Sequence, residues 1–144
     1  MERMDTNPTK YVVFDVETNG LKSKKDDLLS ISFYKPDDGK EYSKFLPLEL
    51  NRKIVTTHIN GITEKDLANA TALTQAEFDC IMQDFELEKR TILIYAEKNF
   101  DASFLFEYLK RHHIFGFDKL NFYNFKRNII SSRYSQGNIT KDNL

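Results

Sequence analysis

The sequence has no tryptophan, a single cysteine and no apolar run approaching the roughly 20 residues needed to span a bilayer. The lone cysteine, Cys80, excludes an internal disulfide and fits a reducing compartment. With one cysteine and three histidines, a zinc site built from Cys and His ligands is not expected. The N-terminal stretch is polar and lacks the apolar centre of a secretory signal. These absences predict a cytoplasmic protein with no membrane partner.

A strong net charge is also lacking, since the formal charge is −1 at neutral pH. This balance argues against sequence-independent binding to long duplexes, which depends on neutralising many phosphates. Basic and aromatic residues nevertheless concentrate in one stretch, which includes Lys110, Arg111, Lys119, Phe122, Tyr123, Phe125, Lys126, Arg127, Arg133 and Tyr134. Such interleaving suits single-stranded nucleic acid, through phosphate contacts and base stacking. A solvated helix face followed by a buried strand is the alternative interpretation.

The chain has 144 residues, of which 40% are hydrophobic and 30% are charged. This length and composition fit one globular domain with a single core. No internal repeat or domain boundary is evident. We therefore expect a flexible N-terminal tail over residues 1–9 and one domain over residues 10–144.

Apolar and β-branched runs predict five strands, at residues 10–16, 28–34, 41–46, 91–95 and within 117–125. The first three are joined by short polar connections, so they are predicted to form an antiparallel meander. Helical segments separate the later strands, which favours parallel pairing there. The expected fold class is therefore α/β, with a mixed sheet flanked by helices.

Helices are predicted near Leu67, over 75–88 and from Asp101 to about His113, with a further start at Thr140. The first two follow Thr-x-x-Asp and Thr-x-x-Glu patterns, which are typical of a capping box. Cys80 falls on the apolar face of the helix over 75–88 and is expected in the core.

The stretch around Asp15 and Glu17 is the most informative for function. Residues two apart on a strand point to the same face, so a strand continuing through Glu17 places both acids together. Two carboxylates on a strand buried on both faces are costly unless cations neutralise them. Hard divalent ions such as Mg²⁺ or Mn²⁺ match carboxylate oxygen. The alternative is that the strand ends at Phe14 and both acids lie in a solvated loop.

Three segments together resemble a known family. The stretch FDVETNGL at 14–21, the stretch HINGIT at 58–63 and the stretch FDASFL at 100–105 match its motifs in order and approximate spacing. The chain thereby resembles the DEDD-type 3′–5′ exonucleases, the family of the DnaQ-like proofreading subunits, oligoribonuclease and RNase T. The resemblance covers residues 10 to 144 and implies a ribonuclease H-like fold.

The resemblance implies two-metal phosphodiester hydrolysis at the 3′ end of single-stranded DNA or RNA, with Mg²⁺ or Mn²⁺ as cofactor. Asp15 would bridge both metals, Glu17 would bind the metal that activates water, and Asp101 would bind the metal on the leaving-group side. A DNA polymerase or a further domain is an implied partner. Taken alone, Asp101 at a helix start has the alternative role of an N-cap.

The resemblance also implies contacts to the terminal nucleotide. The expected substrate-binding residues are Val16, Thr18, Asn19, Gly61, Ile62 and Phe104. Thr18 would contribute a backbone or hydroxyl contact, Gly61 would allow close approach, and Ile62 would pack on the last base. His58 does not lie where the family has its general base and is expected to be structural. His112 and His113 are expected to act as cations at a helix C-terminus.

The sequence departs from the family pattern at several positions. Ala96 and Glu97 stand where many relatives have His-Asn, and Asn60 stands where a His is frequent. The family's last motif, H-x-x-x-x-D or Y-x-x-x-D, has no counterpart at the expected position some tens of residues after Asp101, so the general base and a fourth carboxylate are expected to be missing. Asp142 is not expected to replace that acid. The chain is therefore interpreted as C-terminally truncated, with one metal ion or none tightly bound and weak or absent activity.

Two other interpretations stay open on the sequence. The first is a non-catalytic nucleic-acid-binding or partner-binding module that keeps the exonuclease fold, in which Lys126 and Arg127 would matter and metal would not. The second is an unrelated α/β protein with coincidental acids, which would place Asp15 and Asp101 far apart in space.

Overall fold

The computed structural model describes residues 7–126 and the backbone of residues 138–139. Its strands are β1 (Tyr11–Thr18), β2 (Leu28–Tyr34), β3 (Glu41–Phe45), β4 (Thr91–Ile94), β5 (Phe122–Asn124) and β6 (Asn138–Ile139). Its α-helices are α1 (Thr57–Asn60), α2 (Glu64–Leu67), α3 (Gln75–Asp84) and α4 (Phe100–Arg111).

The ends of the chain test the sequence predictions only in part. Pro8–Lys10 forms a 3-10 turn capped by the side chain of Asn7, so the predicted flexible tail does not extend to residue 9. The predicted helix start at Thr140 and the acid Asp142 lie outside the described residues. β6 was not predicted, because its sequence carries no apolar alternation.

The strands form one mixed sheet in the order β3-β2-β1-β4-β5-β6. β1 pairs antiparallel with β2, and β2 with β3, which confirms the predicted meander. β4 lies parallel to β1, and β5 lies parallel to β4, so the carboxyl ends of these three strands meet at one edge of the sheet. β6 returns antiparallel along β5.

The core lies on one face of this sheet. Val12, Phe14 and Val16 of β1 are buried there, together with the aliphatic and aromatic face of α3 and α4. On the opposite face, Val13 is 39% exposed and Asp15 is exposed. The prediction that β1 is buried on both faces is therefore wrong, and its alternation follows the period of two typical of a half-buried strand.

Both predicted capping boxes are present. Thr63 with Asp66 starts α2, and Thr74 with Glu77 starts α3. α3 ends at Asp84, earlier than predicted, because Phe85 leaves helical geometry and Glu86 has a φ of 51°. Cys80 is exposed on α3, which corrects its predicted place in the core. No helix in the ranges that the structure describes is long and apolar enough to cross a bilayer.

Buried polar side chains fix the segment that follows β3 against the end of β1. The carboxylate of Asp27, 1% exposed, accepts hydrogen bonds from the backbone N–H groups of Glu49, Leu50 and Asn51 at 2.8–3.1 Å. The Asn51 Oδ1 accepts from the Asp27 N–H and from the Asn19 side chain. Buried groups with all partners present hold the backbone in one geometry. This network therefore positions the loop beside the carboxyl end of β1.

Replacing Asp27 with Ala is expected to lower the free energy of unfolding by about 3 kcal/mol, because three backbone N–H donors lose the buried carboxylate that accepts from them. Urea denaturation monitored by circular dichroism measures this loss. Glu88→Ala is the matched control, since Glu88 makes only a surface ion pair with Lys119 at 3.5 Å and its loss is expected to change little. A loss below about 1 kcal/mol for Asp27→Ala would contradict this role for Asp27.

Candidate active site

Asp15 and Asp101 meet at the carboxyl end of β1. The pairing of β4 with β1 is recorded as far as Leu93 with Val13, and a 3-10 turn then leads into α4. The first turn of α4 thus lies next to the part of β1 that carries the acids. The two carboxyl groups are hydrogen-bonded to each other, and the backbone N–H of Val16 is hydrogen-bonded to Asp101. This contact contradicts the interpretation of coincidental acids far apart.

The environment of Asp101 favours its protonated form. The side chain is 5% exposed, and burial together with the neighbouring Asp15 and Glu17 charges raises the pKa of Asp101 to about 7. The hydrogen bond from Val16 acts in the opposite direction but does not outweigh burial. The helix N-cap is Asn99 and not Asp101, so the N-cap interpretation of Asp101 is wrong. Helix capping therefore does not explain why the Asp101 carboxyl is buried.

Glu17 lies two residues beyond Asp15 on the same face of β1 and is half-buried. Burial, and then the negative charge of Asp15, raise the pKa of Glu17 above its usual value. The described residues contain no group of three or more His, Cys, Asp or Glu side chains that already meets the geometry of a metal site. Glu17 therefore acts on the Asp15–Asp101 pair through its charge.

The donor set fits a hard divalent cation. All three side chains offer carboxylate oxygen, which is the ligand type that Mg²⁺ and Mn²⁺ prefer. Burial, together with the charge of Asp15, raises the pKa of Asp101 to about 7, and a cation between Asp15 and Asp101 would replace the proton that Asp101 then holds. The carboxylate donors and the raised pKa of Asp101 are therefore consistent with metal binding at these residues.

The segment at 58–63 lies beside β1, as its place among the motifs implied. The backbone carbonyl of Thr18 accepts hydrogen bonds from Thr56 Oγ1 at 3.1 Å and from Asn60 Nδ2 at 3.2 Å. Asn60 also accepts from the Ile62 N–H at 3.0 Å. The Thr18 hydroxyl donates to the carbonyl of Gly20 at 2.7 Å. Asn60 thus ties the loop to the end of the strand that carries the acids.

Two glycines suit this local geometry. A Cβ on Gly20 would clash with the Asp26 carboxylate, so a larger residue there would displace that side chain. Gly61 ends α1 with a φ of 77°, in the left-handed region that favours glycine. The space around Gly61 is open. Its necessity is therefore conformational, and the surrounding space also leaves room for a ligand.

The predicted base contact of Ile62 is not available. Ile62 is 6% exposed and packs in a small second core with Leu29, Ile54 and Leu67. Ile59, three residues earlier, is 75% exposed. The loop therefore presents the first of its two isoleucines to solvent and buries the second.

Three further predicted contacts are corrected. Asn19 is 2% exposed, and its side chain is occupied by Asn51, the Lys53 carbonyl and the Val55 N–H. Phe104 is 2% exposed and packs on Phe100 with ring centroids 4.8 Å apart. The Val16 side chain is buried in the core. The side chains of Asn19, Phe104 and Val16 therefore pack behind the site and do not line it. Val16 contributes to the site only through its backbone N–H.

His112 lies at the end of α4, in line with its expected role at a helix C-terminus, whereas the structural role expected for His58 stays a prediction. His112 is the C-cap of α4, stacks on Tyr108 at 4.2 Å and contacts Glu49 at 2.7 Å. His113 follows it with a φ of 53°. His58 is exposed on α1.

Sequence analysis missed the residues that support the loop after β4. The side chain of Asn124 is fully buried and donates to the Ala96 carbonyl at 2.6 Å and to Asn99 Oδ1 at 3.2 Å. Glu97 forms an ion pair with Lys126 at 2.6 Å and does not point at the acids. The available signal was that Asn124 follows the strand residues Phe122 and Tyr123, where a buried amide has to be matched by a partner. Asn99 follows Glu97 and Lys98 and carried no such signal.

Metal-free protein is expected to lose stability as the pH rises from about 4 to 7. The folded state holds the Asp101 proton with a pKa of about 7, above the unfolded value of roughly 3.9, so the folded state binds more protons in this window. Asp101→Asn keeps a hydrogen-bond donor to Asp15 without the charge. At pH 8 this variant should exceed the wild type by on the order of 2 kcal/mol, and at pH 4 the difference should vanish.

Thermal denaturation in EDTA across this range measures the difference. Asp118→Asn, at an exposed carboxyl, serves as the control and should track the wild type at every pH. Equal pH dependence of wild type and Asp101→Asn would contradict the assigned electrostatics.

Comparison with known proteins agrees with this geometry. No protein-family model matches the chain. The PolC-type DNA polymerase III of Streptococcus pneumoniae D39 is 34% identical over 113 residues, covering 76% of this chain and 7% of that protein. The PolC-type polymerase of Streptococcus mutans is 32% identical over 114 residues, with the same coverage. The chain thus spans under a tenth of these curated relatives.

Among solved structures, a product-bound exonuclease I superposes with a TM-score of 0.68 at 16% identity, covering 85% of this chain and 31% of that chain. The zinc-bound Escherichia coli exonuclease I complex with single-stranded DNA gives a TM-score of 0.59 at 19% identity, covering 72% and 24%. These likenesses confirm the ribonuclease H-like fold. Together with the PolC relatives and the three motifs, they show that the chain belongs to the DnaQ-like family of DEDD-type 3′–5′ exonucleases.

Proposed function

We propose that the chain is a metal-dependent 3′–5′ exonuclease domain that acts on single-stranded DNA or RNA. One observation carries the proposal: a buried carboxyl group, Asp101, is held against Asp15 at the end of a strand, next to Glu17. Groups whose pKa values are shifted by burial and by a specific charged neighbour concentrate at functional sites. The match to PolC-type DNA polymerase III over 113 residues, together with the likeness to exonuclease I structures, supports the same conclusion.

Asp15, Glu17 and Asp101 would hold Mg²⁺ or Mn²⁺. When bound, such ions neutralise the scissile phosphate and lower the pKa of water. Asp15 is exposed on the sheet and therefore accessible to a phosphate from the solvent side, whereas Asp101 is buried beneath it. Asp15 would bridge the ions, Glu17 would face the attacking water, and Asp101 would support the leaving-group side.

The terminal nucleotide would lie against the loop fixed by Asn60. Ile59 is the exposed apolar side chain of that loop and takes the base-packing role first assigned to Ile62. Thr18 and the open space at Gly61 leave the sugar room to approach the end of β1. A cytoplasmic setting and a polymerase as physical partner belong to the proposal, the second because the curated relatives are polymerases.

The rate is expected to be low. After Asp101 the spacing H-x-x-x-x-D occurs only as His113 and Asp118, which precede β5 and therefore lie at the amino ends of the parallel strands, opposite the acids. No Y-x-x-x-D follows Asp101 in the sequence, so no motif supplies the family's general base and fourth carboxylate. A positioned general base contributes typically about 10²–10⁴-fold in rate. The three acids that are present should therefore support slow hydrolysis.

Degradation of a 5′-labelled single strand with Mn²⁺ tests the proposal. We expect a slow ladder of shortened products that EDTA abolishes and that Asp15→Asn reduces by at least about 100-fold. Asp118→Asn, at an exposed carboxyl, should retain the wild-type rate. A ladder that persists in Asp15→Asn would show a contaminating nuclease or a different site, and a fast ladder would show that the missing motif is dispensable.

A second candidate is a non-catalytic nucleic-acid-binding module, which the missing last motif favours. In that case the wild type would give no ladder, and its binding to single strands would be indifferent to EDTA. Binding would then depend on Lys126 and Arg127 and not on Asp15.

A further inference from the structure

The register of the sheet places aromatic residues beside Asp15 on the exposed face. Val13 pairs with Leu93 at the end of the β1–β4 ladder, and Asp15 and Tyr95 each follow two residues later, at the carboxyl ends of the two neighbouring strands. Ile94 pairs with Asn124, so continuing β4 and β5 by one residue brings Phe125 next to Tyr95. Neighbouring strands lie roughly 4.8 Å apart. Tyr95 and Phe125 are therefore adjacent at the edge of the sheet at which Asp15 also lies, at the ends of three neighbouring strands.

The two rings of this row pack on each other. Tyr95 is 57% exposed, and its centroid lies 4.8 Å from that of Phe125 at an interplanar angle of 42°. An aromatic ring exposed to this extent is not explained by the core, because the buried face of β4 is formed by Ile92 and Ile94. The pair presents an apolar, polarisable surface at the edge where the carboxyl ends of the strands meet.

A cation is held over the same ring. Lys126 Nζ lies 5.5 Å from the Tyr95 centroid and 2.6 Å from a carboxylate oxygen of Glu97. The Lys126 side chain is 28% exposed and that of Glu97 is 73% exposed, so the ion pair is open to exchange with another anion. Glu97 both orients the ammonium and competes for it.

The support beneath these residues is rigid. Asn124 binds the Ala96 backbone through both the carbonyl, at 2.6 Å, and the N–H, at 3.4 Å. The Lys126 N–H also donates to Asn124 Oδ1 at 3.2 Å. One buried amide therefore fixes the segment of Tyr95 and Glu97 relative to that of Phe125 and Lys126.

We propose that Tyr95, Phe125 and Lys126 form a stacking platform for single-stranded nucleic acid, on which a nucleotide upstream of the 3′-terminal one is held. A base stacks on the exposed Tyr95–Phe125 pair, and its phosphate takes the place of Glu97 at Lys126. Base stacking on aromatic rings and phosphate contact with a neighbouring cation are the two interactions by which proteins hold single strands without regard to sequence. The placement fits, because β4 is the strand next to β1, so the platform and Asp15 lie at the same edge of neighbouring strands.

The platform rests on the proposed function in that Asp15 marks the scissile phosphate. Binding in EDTA separates the two, since it requires no hydrolysis. The probes are fluorescein-labelled oligothymidylate and oligouridylate of about 12 nucleotides, measured by fluorescence anisotropy. Both probes offer pyrimidine bases and phosphates, so we expect both to bind. The ratio of the two affinities shows whether DNA or RNA is preferred.

Tyr95→Ala is expected to weaken binding about tenfold, the loss of one stacked base. Tyr95→Phe keeps the ring and should bind within about twofold of the wild type. Lys126→Ala should weaken binding and lower its salt dependence, whereas Lys119→Ala, at a 61% exposed lysine paired with Glu88, should do neither. Glu97→Gln should tighten binding, because Lys126 loses its competing carboxylate. Circular dichroism confirms that each variant is folded.

Equal affinities of wild type and Tyr95→Ala would overturn the platform, as would a wild type that binds neither probe. If the wild type hydrolyses the strand but Tyr95→Ala does not change binding, the platform proposal is contradicted and the exonuclease proposal stands. If Tyr95→Ala loses binding and the wild type hydrolyses nothing, the platform proposal is supported and the exonuclease proposal is contradicted.

Discussion

The contact between the carboxyl groups of Asp15 and Asp101 is the constraint on which the rest of the site depends. Two acids at hydrogen-bond distance in a partly buried position cannot both be ionised without cost. The pKa of Asp101 is raised for this reason as well as by burial. The fold creates this contact by bringing the first turn of α4 next to β1. The N–H of Val16 then points at a carboxylate.

Buried polar side chains hold the two walls around this contact. On one side, Asp27, Asn51 and Asn19 fix the loop after β3 against the end of β1. On the other side, Asn124 fixes the segment after β4 against the end of β5. Among the described residues, no buried side-chain nitrogen or oxygen lacks a hydrogen-bond partner. The proposed site for metal and phosphate is thus framed by amide and carboxylate networks that hold the surrounding backbone in place.

Local patterns in the sequence were enough for most of the fold. The turn signals and alternation gave β2 at its observed bounds and the meander, and the two Thr-initiated capping boxes gave the starts of α2 and α3. The acids Asp15, Glu17 and Asp101 were found because family motifs mark them, and the contact of Asp15 with Asp101 agrees with that assignment. These features depend on neighbours close in sequence or on motifs, which a single chain reveals.

The errors share one cause, which is that burial is decided by distant residues. Ile59 and Ile62 flank the same glycine, and only the second core around Leu29 decides which of them is buried. Asn19 resembled a ligand residue, yet its partners lie more than 30 positions away. Cys80 lies on a helix face that the core does not reach. The partner of Tyr95 is likewise 30 residues later in the chain, so no local pattern could have revealed the platform.

The most direct test of the central claim is a ¹³C NMR titration of the Asp101 carboxyl group, with and without Mg²⁺. Asp15 and Asp101 sharing one cation site predicts a pKa near 7 in the metal-free protein and a value well below it when Mg²⁺ is present. A pKa close to the roughly 3.9 of an unperturbed aspartate, unchanged by Mg²⁺, would contradict the account.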